Sequence, residues 1–149
     1  MKNREFAVLV ADENAGCVEA ARETLAPQGY GIIPATTGRE ALRIIHRELI
    51  HIVVMDVRLP DYSGFAIYHA IKHIRARFLP CIFTAVEITP ASIQEAMGEE
   101  AVTILPKPVD ARRLIRAVDW SVDKYYPRRS RRSWRIGRSR FHPPRRGNA

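Results

Sequence analysis

The sequence predicts an α/β protein with a doubly wound parallel sheet and helices on both faces. Five short apolar runs alternate with segments in which apolar residues recur at helical spacing. The runs are continuous rather than alternating in polarity, as expected for parallel strands that are buried on both faces. Of the 149 residues, 46% are hydrophobic. This composition can build a core and excludes a collagen-like or wholly disordered chain.

The first strand is predicted at residues 7–11, and the helix that follows it at 14–26. The apolar stripe of this helix consists of Val18, Ala21 and Leu25. A second strand is predicted at 31–35. It contains Pro34, which has no amide proton for a strand ladder, so we place this strand near an edge of the sheet.

The second and third strand–helix pairs follow the same alternation. Thr37 is a residue type that caps helix N-termini, and we expect a helix to begin there. Its predicted buried side consists of Ala41, Leu42, Ile45 and Leu49. The third strand is predicted at 52–55. The third helix is predicted to bury a stripe formed by Ile67, Ala70, Ile71 and Ile74.

The last two strands are predicted at 81–83 and 102–105. Between them, Thr89 and Pro90 open a fourth helix, with proline at the first helical position, where its missing amide proton costs nothing. Asp110 is expected to cap the final helix. Its predicted apolar stripe consists of Ala111, Leu114, Ile115 and Val118.

Polar residues follow four of the predicted strands. Asp12 and Glu13 follow the first strand, Asp56 the third, Thr84 the fourth and Lys107 the fifth. Because parallel strands end at the same edge of a sheet, we expect these side chains at one rim, where chemistry gathers in this fold class. Each residue alone has an ordinary explanation, such as a helix cap for Asp12. Their joint placement indicates a functional site.

In their order and spacing these residues resemble the receiver domain of two-component response regulators. Four motifs carry the resemblance: residues 8–13 (Val-Leu-Val-Ala-Asp-Glu), 53–60 (Val-Val-Met-Asp-Val-Arg-Leu-Pro) with Gly64, 83–85 (Phe-Thr-Ala) and 105–108 (Leu-Pro-Lys-Pro). The resemblance covers about residues 4–123. It implies a five-stranded, flavodoxin-like sheet in the strand order 2-1-3-4-5.

The resemblance implies that this chain is a phosphoacceptor. The residue that matches Asp56 attacks a phosphohistidine on a sensor histidine kinase or a phosphotransfer protein and becomes an aspartyl phosphate. Asp12, Glu13, Asp56 and the backbone carbonyl of Arg58 would together hold Mg²⁺, a hard ion that prefers oxygen ligands. Three neighbouring carboxylates would otherwise repel one another, so a cation among them is also expected on electrostatic grounds.

Two further residues complete the implied site. Lys107 would pair with one phosphoryl oxygen, and the hydroxyl of Thr84 would hydrogen-bond another. The peptide bond between Lys107 and Pro108 is expected to be cis, as in the family. Such a protein catalyses its own phosphorylation and slow dephosphorylation and is not a turnover enzyme.

Three positions depart from the family pattern. Glu13 stands where a second aspartate is usual, and Glu100 replaces a frequent glycine before the fifth strand. Ile104 and Thr84 occupy the two switch positions of the family. At the position of Ile104 the family usually has a tyrosine or phenylalanine, whose rotation transmits phosphorylation to the outer surface. Partners and a second copy of the chain would bind the face formed by helix 4, strand 5 and helix 5, as the resemblance implies.

Charge divides the chain into two parts. Residues 1–123 contain 14 basic and 16 acidic residues, a net charge of −2, whereas residues 124–149 contain 10 basic residues and no acid, a net charge of +10. We assign the first part to the receiver domain and the second to a basic tail that is expected to be disordered in isolation. The candidate polyanion-binding residues of this tail are Arg128, Arg129, Arg131, Arg132 and Arg135.

The sequence leaves two alternative functions to consider. The first is a receiver-like module that works without phosphate and binds nucleic acid or another polyanion through its tail. The tail is too short for a DNA-binding output domain, so we expect a stand-alone receiver. The second is a phosphatase of the haloacid-dehalogenase type. That class needs a second acid two residues after the nucleophile, where this chain has Arg58, so the sequence argues against it.

The remaining features of the sequence indicate ordinary structural roles. His69 and His73 are four residues apart and could bind a metal, but they lie opposite the apolar stripe and are expected on an exposed helix face. Cys17 and Cys81 are expected to be small core residues. The apolar runs are too short for a membrane span, and we expect a cytoplasmic protein.

Overall fold

A computed structural model of the chain describes residues 6–75 and 78–127. Strands and helices alternate along this part of the chain. The strands are β1 (Ala7–Ala11), β2 (Gly31–Ala35), β3 (Ile52–Asp56), β4 (Cys81–Ala85) and β5 (Thr103–Pro106). The helices are α1 (Ala15–Leu25), α2 (Gly38–Arg47), α3 (Gly64–Ile74), α4 (Pro90–Gly98) and α5 (Ala111–Tyr125), and a short 3₁₀ helix (Ala26–Gln28) follows α1.

The strands form one parallel sheet in the order β2-β1-β3-β4-β5. This order confirms the predicted fold class and the flavodoxin-like topology. Pro34 lies on the edge strand β2, as expected. The register pairs Asp56 of β3 with Thr84 of β4, so two of the predicted site residues end adjacent strands at the same level.

Side chains on the two faces of the sheet form two separate hydrophobic clusters. One face packs against α2, α3 and α4, with Leu9, Met55 and Phe83 among its fully buried residues. The other face packs against α1 and α5, where Val8 and Ile82 are fully buried. All five residues of β3 and of β4 are buried, which explains why these two strands contain continuous apolar runs.

Side chains cap the start of every helix from α1 to α5. Thr37, Thr89 and Asp110 accept a hydrogen bond from a backbone amide in the first turn of α2, α4 and α5, as the sequence predicted. Asn14 and Ser63 do the same for α1 and α3. These polar residues therefore fix where each helix leaves the rim of the sheet.

Two residues predicted to lie on buried helix faces are placed elsewhere. Helix α2 ends at Arg47 because Glu48 adopts an extended conformation, so Leu49 follows the helix and packs against the cluster beneath α1 and α5. Ile74 is the last residue of α3 and is 38% exposed. Both predictions were wrong, since a periodic stripe does not reveal where a helix ends.

Smaller differences concern α1 and α5. Cys81 is fully buried as predicted, but Cys17 is only partly buried and is not a core residue. Ala111 is exposed, although Leu114 and Val118 of its predicted stripe are buried. Helix α5 continues to Tyr125, two residues beyond the predicted boundary at 123.

The end of α5 is anchored to the core. Tyr126, which follows α5, donates a hydrogen bond from its hydroxyl to the carbonyl of His51 over 2.9 Å. The five arginines predicted to bind polyanions (Arg128, Arg129, Arg131, Arg132 and Arg135) lie outside the described residues. Within the described ranges, no helix is both long and apolar enough to cross a membrane.

Candidate functional site

The centre of the candidate site is the ammonium group of Lys107, which follows β5. Its Nζ lies 2.6 Å from Oδ2 of Asp12, at the end of β1, and also contacts Oδ2 of Asp56, at the end of β3. The three side chains are 7–13% exposed. One lysine therefore joins three strand ends, and the structure brings together three of the residues predicted from the sequence.

The electrostatics of this cluster favour the charged lysine. Burial alone would lower the pKa of Lys107, but its hydrogen bonds and charge interactions with Asp12 and Asp56 outweigh burial and raise that pKa well above its ordinary value. Lys107 is thus a permanent cation at neutral pH. Two carboxylates share it, so an ionised cluster has a net negative charge.

Both carboxylates are held in the same way. Asp12 uses Oδ1 to accept a hydrogen bond from the amide of Asn14, and Asp56 uses Oδ1 to accept one from the amide of Arg58, each over 2.9 Å. In both cases the aspartate bonds the backbone two residues later and leaves Oδ2 for Lys107. The turn after each strand therefore sets the orientation of the carboxylate.

Backbone hydrogen bonds align the strand ends that carry these groups. The amide of Val57 donates to the carbonyl of Thr84 over 2.9 Å, which ties the end of β3 to β4. The amide of Lys107 donates to the carbonyl of Ala85 over 2.8 Å, which ties the end of β5 to β4. The peptide bond between Lys107 and Pro108 is cis, as predicted.

Gly64 is required immediately beneath the candidate phosphoacceptor. A Cβ atom at this position would lie 2.2 Å from the backbone oxygen of Asp56, a contact that no side chain can tolerate. Its amide donates to the carbonyl of Val57 over 2.8 Å. The glycine therefore lets the start of α3 pack directly against the end of β3.

The other predicted site residues surround the cluster without joining it. Glu13 is exposed, and within the described residues its carboxylate makes no hydrogen bond or ion pair. Thr84 is 5% exposed at the end of β4, and Ile104 is partly buried against the cluster beneath α2, α3 and α4. Arg58 is exposed in the loop after β3, where its backbone pairs with Ser63.

The donor set of this rim fits a magnesium ion. Among the described residues, no three His, Cys, Asp or Glu side chains converge closely enough to enclose a metal on their own. Asp12 and Asp56 nevertheless place two carboxylates around one cation, and Mg²⁺ typically uses one or two carboxylates with water and phosphate oxygens for the rest. The set of Asp12, Glu13, Asp56 and the carbonyl of Arg58 stays a prediction.

Asp61 is a positioning residue that the sequence analysis missed. Its Oδ1 accepts a hydrogen bond from the amide of Gly38 over 2.8 Å, and its Oδ2 accepts one from the amide of Arg39 over 3.0 Å. Burial would raise the pKa of Asp61, but these backbone hydrogen bonds outweigh it and lower the pKa. Asp61 therefore anchors the loop after Asp56 to the start of α2.

His69 and His73 are exposed on α3, as predicted. His69 is not simply solvated, since its Nδ1 lies 3.2 Å from Oε1 of Glu99 at the end of α4. The same Oε1 lies 2.8 Å from Nζ of Lys72. The two histidines thus belong to a contact between α3 and α4, and Nδ1 of His73 bonds the carbonyl of His69 over 3.0 Å.

Comparisons with known proteins identify relatives in sequence and in fold. A family model described as "Response regulator receiver domain" matches residues 8–119. The transcriptional regulatory protein GlrR of Escherichia coli (strain K12) is 27% identical over 135 residues, which cover 91% of this chain and 30% of that protein. An uncharacterized 14.6 kDa protein of Leptolyngbya boryana is 30% identical over 112 residues, covering 74% of this chain and 86% of that protein.

Solved structures agree with these sequence matches. The BeF3-activated receiver domain of DrrB is 26% identical, with a TM-score of 0.71 over 79% of this chain and 97% of that chain. A CheY-like receiver domain protein from Methanospirillum hungatei JF-1 has a TM-score of 0.75 at 21% identity, over 80% of this chain and 94% of that chain, and supports the fold alone. The chain spans less than a third of the length of GlrR.

Proposed function

Because the chain belongs to the response regulator receiver domain family, we propose that Asp56 is the residue that accepts a phosphoryl group. The observation that carries this proposal is the ammonium of Lys107 shared by Asp12 and Asp56 at the ends of three strands. Asp56 is held by the Arg58 amide and is 7% exposed, so its carboxylate is fixed at the rim before a donor arrives.

The proposed transfer forms one bond and breaks another. A carboxylate oxygen of Asp56 attacks the phosphorus of a phosphohistidine, the new P–O bond forms, and the P–N bond to the histidine breaks. The electron pair of that bond leaves with the imidazole. Lys107 then neutralises a phosphoryl oxygen, and Thr84 donates its hydroxyl to another. Mg²⁺ bound by Asp12, Asp56, Glu13 and the carbonyl of Arg58 would neutralise charge on the transferring group.

The donor is proposed to be a sensor histidine kinase or a phosphotransfer protein. The chain would promote its own phosphorylation and slow dephosphorylation rather than turn over a substrate. We propose that the chain takes part in a two-component system through these reactions and that it acts in the cytoplasm. Membership of the family and the ion pairs of Lys107 with Asp12 and Asp56 support the proposed donor and reactions.

The output surface is proposed on α4, β5 and α5. Three large apolar side chains are exposed on its helices: Ile93 (43%) and Met97 (70%) on α4, and Trp120 (49%) on α5. Exposed apolar side chains on adjacent elements are typical of a protein-binding surface. An effector or a second copy of the chain would bind here. Nucleic acid would bind only through the basic residues at 124–149, whose net charge is +10.

The test of the proposed function is labelling with acetyl phosphate, with and without Mg²⁺. Asp56→Asn removes the nucleophile and retains the shape of the side chain, whereas Glu87→Gln makes the matched change at an exposed carboxylate just after β4. We expect Mg²⁺-dependent labelling of the wild type and of Glu87→Gln but not of Asp56→Asn. Equal labelling of all three proteins would refute the assignment.

A further inference from the structure

A cavity of about 230 Å³ extends from the candidate site along the α1–α5 side of the sheet. It is lined along α1 from Asn14 to Thr24, a distance of about 15 Å along the helix axis. The cavity thus begins at Asp12, Thr84 and Lys107 and continues well past the polar rim. It is larger than a cavity of roughly 150 Å³ that accommodates benzene.

Small side chains on α1 create this space. The residues of α1 that line the cavity include Gly16, Cys17, Ala20 and Ala21, whose side chains are small or absent. The opposite wall is formed by Val109 and Leu114, where the chain enters α5. The two helices therefore leave an apolar gap that a flat, rigid molecule would fill.

The polar end of the cavity selects for an uncharged ligand that donates a hydrogen bond. Asp12 and Lys107 already form an ion pair, and the second carboxylate on that lysine, Asp56, disfavours an anion unless a metal cation neutralises it. Within residues 6–75 and 78–127 the hydroxyl of Thr84 makes no hydrogen bond, although this residue is 95% buried. Since Thr84 lines the cavity, its hydroxyl oxygen can accept a hydrogen bond from a ligand bound there.

We propose that this cavity binds a small, neutral, mainly aromatic molecule whose single hydrogen-bond donor reaches Thr84. The aromatic part lies between α1 and the start of α5, and the donor lies beside the candidate phosphoacceptor. This site shares Asp12 with the proposed magnesium site but extends away from it along α1, where the lining is mostly apolar. Its existence does not require Asp56 to accept phosphate.

The test uses indole as the probe and Cys17 as the reporter. Cys17 lines the cavity and is partly exposed. The other cysteine, Cys81, is fully buried, and burial raises the pKa of its thiol, so it should not react. We expect indole to slow the reaction of Cys17 with a chromogenic disulfide reagent in a saturable way, in the full-length chain.

Variants that fill the cavity should abolish this protection. Ala21→Leu adds volume inside the cavity. Ala20 is exposed in the wild type, so Ala20→Leu adds volume at the opening of the cavity. Ala91→Leu makes the same change on an exposed position of α4, away from the cavity, and should leave the protection intact. Circular dichroism establishes that each variant is folded.

The affinity for indole tests the proposed hydrogen bond between the ligand and Thr84. Thr84→Val retains the shape and removes the hydroxyl, so indole should bind about fivefold to tenfold more weakly. 1-Methylindole, which has no donor, should bind the wild type and Thr84→Val equally. The proposal is overturned if indole does not slow the reaction of Cys17 in the wild type saturably. It is also overturned if indole protects Cys17 in the folded Ala20→Leu and Ala21→Leu proteins to the same extent as in the wild type. Because no arm involves phosphoryl transfer, these outcomes are independent of the proposed function.

Discussion

Two lysines of this protein each bond carboxylate oxygens from other elements, but the balance of charge differs between the two clusters. Nζ of Lys107 is shared by the carboxylates of Asp12 and Asp56, two residues on different strands. Nζ of Lys72, on α3, bonds Glu99 twice, through Oε1 over 2.8 Å and through the backbone carbonyl over 2.7 Å. It also lies 5.0 Å from the centre of the Tyr68 ring.

The difference separates a reactive site from a structural contact. At Lys107 there are two carboxylates for one ammonium, so a negative charge is left over for a cation or an electrophile. At Lys72 the ammonium neutralises the single carboxylate of Glu99, which His69 also contacts. The other contacts of Lys72 are with the backbone carbonyl of Glu99 and the face of the Tyr68 ring. Ion pairs of similar length therefore perform different tasks, and the number of partners decides which.

The largest expected effect comes from removing the two lysines separately. Lys107→Ala removes a charge-assisted interaction worth about 1.5–3 kcal/mol, so phosphoryl labelling by acetyl phosphate should slow by roughly 10-fold to 150-fold. Lys72→Ala should leave the labelling rate within about twofold of the wild type, because the polar contacts of Lys72 within the described residues are with Glu99 and the Tyr68 ring, away from Asp56. Initial rates at saturating Mg²⁺ distinguish the two.

The control for this pair is Lys124→Ala, which removes an ammonium placed over the exposed Trp120 ring. It should behave like Lys72→Ala in the labelling assay. If Lys72→Ala slowed labelling as much as Lys107→Ala, the distinction between a reactive and a structural cluster would be wrong.

The next effect concerns Asp61, which holds the loop between Asp56 and α3 in place. Asp61→Ala leaves the first amides of α2 without their acceptor and should destabilise the protein by about 1 kcal/mol. It should also slow labelling severalfold, because the loop carries the Arg58 amide that orients Asp56. Chemical denaturation and labelling rates measure the two effects.

Asp61→Asn is the informative companion variant. Its amide oxygen can still accept from Gly38, whereas its nitrogen cannot accept from Arg39. We expect it to recover most of the labelling rate. A variant Asp61→Ala that labels at the wild-type rate would show that Asp61 serves α2 alone.

The sequence predicted the site at Lys107 because that site depends on topology. Asp12, Asp56 and Lys107 follow apolar runs, and parallel strands must end at one edge of the sheet. Once the runs were assigned to strands, the meeting of these side chains followed without any knowledge of distances. Thr84 was placed for the same reason, by its position after the buried run of β4.

The contact at Lys72 could not be predicted in the same way. Lys72 and Glu99 are 27 residues apart, and their meeting depends on how α3 and α4 pack. Asp61 caps a helix that precedes it by more than 20 residues, so no local spacing identifies it. Leu49 was misplaced because the extended conformation of Glu48 ends α2 two residues earlier than the stripe suggested.

A smaller effect follows from the acid sensitivity of the Lys72 contact. Burial would raise the pKa of Glu99, but hydrogen bonds from Lys72 and His69 outweigh burial and lower the pKa below its ordinary value near 4.5. A carboxylate with a lowered pKa stabilises the folded state above pH 4.5 and loses that contribution as the pH falls towards its folded value.

Glu99→Gln should therefore reduce the stability at pH 7 and make it less dependent on pH below 4.5. Thermal denaturation between pH 3 and pH 7 measures this difference in wild type and variant. Glu95→Gln, at an exposed position of α4, serves as the control. Parallel pH profiles of the wild type and Glu99→Gln would contradict this account of the contact.

The smallest expected effect lies in the residue that follows Glu99. Glu100 has φ = 64°, a left-handed conformation that costs a side chain about 1–2 kcal/mol. Glu100→Gly relieves this cost but makes the unfolded chain more flexible, which costs about 0.5–1 kcal/mol. The net gain should be about 0.5–1 kcal/mol in denaturant unfolding, with no change in labelling. A loss of stability would show that the Glu100 side chain contributes a compensating interaction.

The most direct test of the central claim is to locate the phosphoryl group on the intact chain. After incubation with acetyl phosphate and Mg²⁺, borohydride reduction converts an aspartyl phosphate to homoserine, and mass spectrometry of the peptides identifies the modified position. We predict homoserine at position 56 alone, formed roughly 10-fold to 150-fold more slowly in Lys107→Ala. Modification at Asp12 or Glu13 instead of Asp56, or an unmodified chain, would contradict the assignment of Asp56 as the phosphoacceptor.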